Sequence, residues 1–299
     1  MQTDVTGSEW EPLPPLVGQI ESLVRPGHPI SVRLPSRPGP HLQTLSGLYF
    51  LVRCSTSVGL ERGSDWSIFP RQPLFVCGRQ AQDQDDLWQL YLPTNPAGYG
   101  AHPESAPEAG KHSGDGGLEW LEKRVSGDLL NLLGPFGNGF TLRPGPHNLL
   151  ILVDIRDEPS WFWQLLPLCE QALDRGSRVT LLIRSKEDSA VSGLVARLPV
   201  QVEVRTVSSE RQWLDQIHST IAWSDQLCAG VPPESYGELL NIVRSTRFRV
   251  DGNFAQILVR ADLLCGVGAC LVCAVPTAGG GYTRACVHGP VFDLTELAE

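Results

Sequence analysis

Apolar and polar positions follow three successive regimes along the chain. In the first 150 residues, short apolar or alternating runs at 47–53, 73–77 and 87–92 are separated by Pro- and Gly-rich turns. That pattern predicts a small β-barrel or sandwich. From 93 to 117 large apolar residues thin out among Pro, Gly, Ala, Ser and His, which predicts a long surface insertion. Structure is expected to resume at Leu118 and to lead into Leu132-Leu133-Gly134-Pro135-Phe136-Gly137-Asn138-Gly139-Phe140, a run whose turn-formers predict a tight, shaped loop.

From Asn148 the period changes. Leu149 to Val153 is a continuous apolar run, as in a strand buried on both faces. Pro159 then opens a helix-length segment that runs to about Arg175, with Gly176 placed as its C-terminal cap. Val179 to Ile183 is the next buried strand, and Val200 to Val207 and Gln226 to Cys228 read as further strands between helices. The middle of the chain is thus expected to be an open α/β domain with a mostly parallel sheet. The expected organisation is a barrel domain over 1–145, the α/β domain over 146–250 and a short Cys-rich segment over 251–299. That last segment is too small to fold on a hydrophobic core alone.

Composition narrows the function. The 299 residues are 41% hydrophobic and carry a net charge of −9, which argues against nucleic acid or an anionic membrane surface as the main partner. No stretch approaches the roughly 20 apolar residues needed to span a bilayer. Met1 to Pro15 lacks a basic region followed by an apolar run, so a soluble, cytoplasmic protein is expected. Eight cysteines in a reducing compartment do not read as a disulfide framework.

Half of those cysteines crowd the C-terminal segment. Cys265-Gly-Val-Gly-Ala-Cys270-Leu-Val-Cys273 has C-x4-C-x2-C spacing, with Cys286 further on, the plant-type arrangement for a [2Fe–2S] cluster. Gly266 and Gly268 let the backbone approach the sulfurs and donate N–H bonds to them. Zinc and free structural thiols remain the alternatives, although structural zinc sites usually pair two short knuckles. Cys54, Cys77 and Cys169 read as buried small hydrophobes, and Trp161-Phe162-Trp163 as core or domain-interface packing.

These segments resemble a known family. The run Leu133 to Phe140, the cysteine loop and Arg284-Ala-Cys286-Val-His288-Gly289-Pro290-Val291-Phe292 are similar to those of the electron-transfer subunit of class B dihydroorotate dehydrogenases, within the ferredoxin-reductase superfamily. The resemblance implies a small barrel, an open α/β domain and a terminal [2Fe–2S] segment ligated by Cys265, Cys270, Cys273 and Cys286. It implies FAD, and a partner subunit that holds FMN and oxidises dihydroorotate in pyrimidine biosynthesis. It also implies a chain that relays single electrons between a flavin and that partner or an external carrier such as ferredoxin. Substrate chemistry would belong to the partner, and no catalytic residue is assigned here. The other reading is a non-catalytic accessory subunit with decayed nucleotide sites, its cluster structural or fed by ferredoxin.

At the nucleotide motifs this chain departs from the family. R-P-L-S reads Gln72-Pro73-Leu74-Phe75, Y-R-V reads Tyr91-Leu92-Pro93, and a G-T pair aligns with Gly116-Gly117. Pro73, Leu74, Tyr91 and Gly116 are the FAD residues that remain, with Arg71 standing beside the lost arginine. After Val153, a glycine-rich turn is replaced by Asp154-Ile-Arg156-Asp157-Glu158-Pro159-Ser160, and C-G-P by Cys228-Ala229-Gly230. Three carboxylates and a missing N–H predict weak or absent NAD(P)H binding, with Arg156 paired locally to an acid. His288, where the family carries Asp, reads as a surface histidine beside Cys286.

Overall fold

Alternation makes the first strands one-sided. β1 (Leu16–Ile20) and β2 (Pro29–Pro35) turn every second side chain inward, as strands covering a core on one face do. They join β3 (Tyr49–Arg53), β4 (Gln72–Ala81), β5 (Asp85–Tyr91) and, after helix α1 (Gly116–Glu122), β6 (Leu129–Phe136). The six strands close a barrel in the order β1-β2-β5-β4-β3-β6, with antiparallel neighbours throughout. This computed structural model describes residues 15–22, 24–25, 27–36, 44–55, 71–82, 84–93, 116–157 and 159–298. Positions 94–115 of the expected insertion, Glu158 and Met1 to Pro14 lie outside the described residues.

One expectation is corrected in the barrel. Leu132 to Phe136 form the second half of β6 rather than a loop, because β6 must pair with both β1 and β3 to close the barrel. The turn begins at Gly137, whose φ of +98° is the left-handed geometry that glycine adopts without strain.

The α/β domain follows the alternation expected, except that the strand expected over Val200 to Val207 begins at Glu203, after an exposed turn at Val200. β7 (Asn148–Asp154), helix α2 (Ser160–Asp174), β8 (Arg178–Arg184), α3 (Asp188–Val195), β9 (Glu203–Val207), α4 (Glu210–Ile221), β10 (Gln226–Gly230) and α5 (Tyr236–Thr246) alternate along the chain. Gly176 caps α2 at φ +77°, donating its N–H to the Leu173 carbonyl. With β11 (Ala255–Leu258) and β14 (Val291–Asp293), the sheet order is β14-β11-β10-β7-β8-β9, parallel except at β14. Strand order therefore reverses between β7 and β10.

The segment after Asp251 contributes strands to this same sheet. Its strands β11 and β14 complete one edge. The cysteine loop lies between them with a small ribbon of β12 (Ala274–Pro276) and β13 (Tyr282–Arg284), followed by the short α6 (Ala285–His288). α7 (Leu294–Leu297) comes after β14. One hydrophobic cluster fills the barrel. A second runs from the outer face of the barrel, through Tyr49, Leu51, Phe75 and Tyr91, across the α/β sheet to Cys273 and Cys286. Barrel, sheet and cysteine segment thus share a packed interior.

Candidate metal centre

The four C-terminal cysteines come together as two pairs. Cys265 Sγ and Cys270 Sγ are 3.4 Å apart, and Cys273 Sγ and Cys286 Sγ are 3.2 Å apart. All eight cysteines are free thiols, and these separations far exceed the roughly 2.05 Å of a disulfide. They approach the spacing of about 3.8 Å that two thiolates take on one tetrahedral metal with bonds of about 2.3 Å. Among the described residues no three metal-ligating side chains converge on a single point. A structural zinc site needs four ligands around one ion, whereas a [2Fe–2S] cluster takes two thiolates at each iron. Two pairs fit the second donor set.

The loop is shaped for thiolates. Gly266 and Gly268 have φ of +70° and +73°, so the chain turns back on itself and directs N–H groups inward. Burial pushes the Cys265 thiol up, but N–H donors from Cys270, Val267 and Ala269, with the Cys270 thiol, outweigh it and bring it down to about 6. Gly268 donates its N–H to Cys286 Sγ at 3.2 Å, and Arg284 holds the Gly268 carbonyl from the other side at 3.3 Å. Cys286 is instead pushed up to about 12, first by burial and then by the neighbouring Cys273 thiol. Cys273 and Cys286 are buried and Cys270 is exposed, so one pair faces the core and the other the surface.

The barrel supplies the floor. A side chain at Gly266 would meet Leu51 and Phe136 at 3.1 and 3.3 Å. Asn138 donates its N–H to the Gly289 carbonyl at 2.7 Å and its side-chain amide to the His288 carbonyl at 3.1 Å. A Cβ at Gly137 would stand 2.7 Å from the Gly47 carbonyl and 3.0 Å from Pro290. The Gly-rich run after β6 is therefore the clasp between barrel and cysteine segment, a role that its composition alone did not reveal. The Tyr49 hydroxyl is buried without a hydrogen-bond partner, its titration pushed up by burial and by the charges of Cys286, Cys273 and Cys265.

The residues expected at FAD are brought onto adjoining segments in unequal ways. Pro73 and Leu74 begin β4, Tyr91 ends β5 opposite Phe75, and Gly116 starts α1. Leu74 points into the barrel core, leaving only its backbone for a ligand. The Gln72 side chain lies where a Cβ at Gly117 would be, 2.6 Å away. The Tyr91 ring is buried and stacked on Trp163, with centroids 6.4 Å apart. Arg71 is committed to the Leu51 carbonyl and to Asn131 at 2.8–3.2 Å.

Other readings were legible in the sequence. Arg156 pairs with Asp154 at 2.7–2.9 Å. Trp161, Phe162 and Trp163 are buried, as are Cys54, Cys77, Cys169 and Cys228, while His288 is exposed. No helix among the described residues is long and apolar enough to cross a membrane.

Comparison with known proteins agrees with this geometry. Residues 261–298 match the family model of the iron-sulfur cluster binding domain of dihydroorotate dehydrogenase B. The chain resembles dihydroorotate dehydrogenase B electron transfer subunits. The protein of that name from Bacillus mycoides is 27% identical over 245 residues, covering 76% of this chain and 80% of its own length. That of Clostridium acetobutylicum is 28% identical over 183 residues, covering 60% of this chain and 70% of its own. That of Clostridium perfringens is 24% identical over 187 residues, covering 60% and 71%. A solved structure of an NADH-dependent reduced ferredoxin-NADP oxidoreductase superposes with a TM-score of 0.59 at 16% identity, covering 94% of this chain and 89% of that one. The fold is thus ferredoxin-reductase-like, as in the dihydroorotate dehydrogenase B resemblance.

Proposed function

We propose that this chain is the electron-transfer subunit of a dihydroorotate dehydrogenase-type flavoenzyme, with Cys265, Cys270, Cys273 and Cys286 as ligands of a [2Fe–2S] cluster. The observation that carries the reading is the pairing of the four sulfurs within the segment that matches the iron–sulfur binding domain. When bound, a flavin exchanges electrons singly or in pairs, and a [2Fe–2S] cluster singly. Cys273 and Cys286, the latter accepting the Gly268 N–H, form the inner half of the site. Cys265 and Cys270 form the outer half. Around Cys270 the exposed apolar residues Val267, Leu271, Val272 and Val287 form the face on which the catalytic partner docks.

That partner holds FMN and oxidises dihydroorotate. Within this chain, Pro73, Leu74, Tyr91 and Gly116, on β4, β5 and α1, are the candidate FAD contacts, and a ferredoxin-like carrier serves as external electron partner. The stacking of Trp163 on Tyr91 favours a second reading, in which the chain is an accessory subunit without flavin. Anaerobic purification separates the two. Both require iron and acid-labile sulfide in equal amounts and the broad visible bands of a [2Fe–2S] cluster; flavin bands belong to the first reading alone. A colourless protein with stoichiometric zinc would overturn both. Failure to associate with an FMN-containing dihydroorotate dehydrogenase would overturn the partner.

A further inference from the structure

We infer that the nucleotide crevice of the α/β domain has become a structural joint, sealed by Trp161 and Arg260, and that this chain does not take NADH or NADPH. In an open α/β sheet a dinucleotide binds beyond the carboxyl ends of the strands, where strand order reverses. Here that point lies between β7 and β10, beyond Asp154 and Gly230. Its space is taken by the chain itself.

Trp161, in the first turn of α2, lies on the end of β10. A Cβ at Gly230 would stand 2.5 Å from Trp161 Cγ, so the indole rests directly on that glycine. From the β11 side, the Arg260 guanidinium lies over the same indole, 3.7 Å from its centroid, and donates to Ser160 Oγ at 2.7 Å. The ring is therefore held between backbone and cation and is buried. A nicotinamide ring would have to displace it.

The pyrophosphate position fares no better. A dinucleotide's phosphates need close backbone approach and free N–H groups at a helix start. At the end of β7 the Asp154 carboxylate is buried and already engaged by the Arg156 Nε and Nη2 at 2.7–2.9 Å. Arg184, at the end of β8, is tied to Glu210, and Lys186 to Asp157 at 3.0 Å. Pro159 supplies no N–H as the residue capping α2. Among the described residues, Arg156, Arg184 and Lys186 already serve carboxylates and Arg260 the indole, and the Asp154 carboxylate repels a dianion. A cleft of about 1100 Å³ does open in this domain, but at the amino ends of the strands, opposite the crevice, beside Asn148, Arg178 and Glu203.

What the crevice gained is mechanical. Two residues after Trp161, Trp163 stacks on Tyr91 of the barrel, so one helix start is wedged into both domains.

Calorimetric titration of the full chain, purified anaerobically and shown to unfold cooperatively, tests this with NADH and with NADPH. The expected result is no binding tighter than about 1 mM for either nucleotide. The visible bands should also survive NADH and NADPH, yet bleach with dithionite. Micromolar binding of either nucleotide, or bleaching by it, would overturn the inference. The calorimetric reading needs no chromophore, so a chain without a cluster would refute the proposed function while still deciding this point.

Discussion

Gly268 concentrates the demands of the centre in one residue. Its φ of +73° aims an N–H at Cys286, and an added Cβ would stand 2.7 Å from Val287 Cγ2. Gly268→Ala imposes left-handed backbone on an ordinary residue, at a cost of about 1–2 kcal/mol before the clash is counted. The expected outcome is a protein that folds but loses iron faster to a chelator, followed by visible absorbance. The thiols away from the centre make a different prediction. Burial raises Cys77, Cys169 and Cys228 above the ordinary thiol value near 9, with Cys169 pushed up to about 12. In the unfolded chain they ionise near that ordinary value, so at higher pH the native state binds more protons. Stability is then complete below about pH 9 and falls as pH rises, by up to about 1.4 kcal/mol per pH unit for each thiol. Urea midpoints from about pH 8 to about pH 10.5 should show this decline, and Cys169→Ala should make it shallower.

Helix α2 is the element on which the two large domains meet. Its first turn carries Trp161, Phe162 and Trp163, all buried, with the Phe162 and Trp163 rings edge to face at 5.6 Å. Removing Trp163 takes away both its stacking on Tyr91 and the volume that separates helix from barrel. Trp163→Ala is therefore expected to cost about 3–5 kcal/mol in chemical denaturation. A loss below about 1 kcal/mol would mean that the helix start is not the joint described here. β6 shows how an element escapes local reading. Leu132 to Phe136 carry glycine and proline, yet the segment is a strand because β1 and β3 both present unpaired edges to it. β14 is similar: three residues find a place only because β11 offers an edge.

At the scale of the molecule, the exposed edge of the centre predicts where the partner sits. Leu271 is 61% exposed and has a φ of +59°, a conformation that asparagine tolerates better than leucine. Leu271→Asn thus removes an apolar contact without straining the loop. Affinity for the catalytic subunit should fall about tenfold, equivalent to about 1.4 kcal/mol, with the absorbance spectrum unchanged. Unchanged affinity would move the docking face elsewhere.

Much of this was written in short windows of the chain. The apolar run Leu149 to Val153 required a strand buried on both faces, and Gly176 required the end of a helix, because periodicity and backbone freedom act over a few residues. The C-x4-C-x2-C spacing likewise identified a thiolate loop, since its three members lie within nine residues. Which sulfurs pair was decided in space, where Cys286 arrives from beyond the β12–β13 ribbon to meet Cys273. The same holds for Asn138 on Gly289 and for Trp161 on Gly230. Those contacts join residues far apart in the chain, and only closure of the barrel and the strand-order reversal of the sheet bring them within reach. Sequence alone determined most local elements and the candidate ligands; packing decided their partners, made a strand of Leu132 to Phe136, and filled the nucleotide crevice.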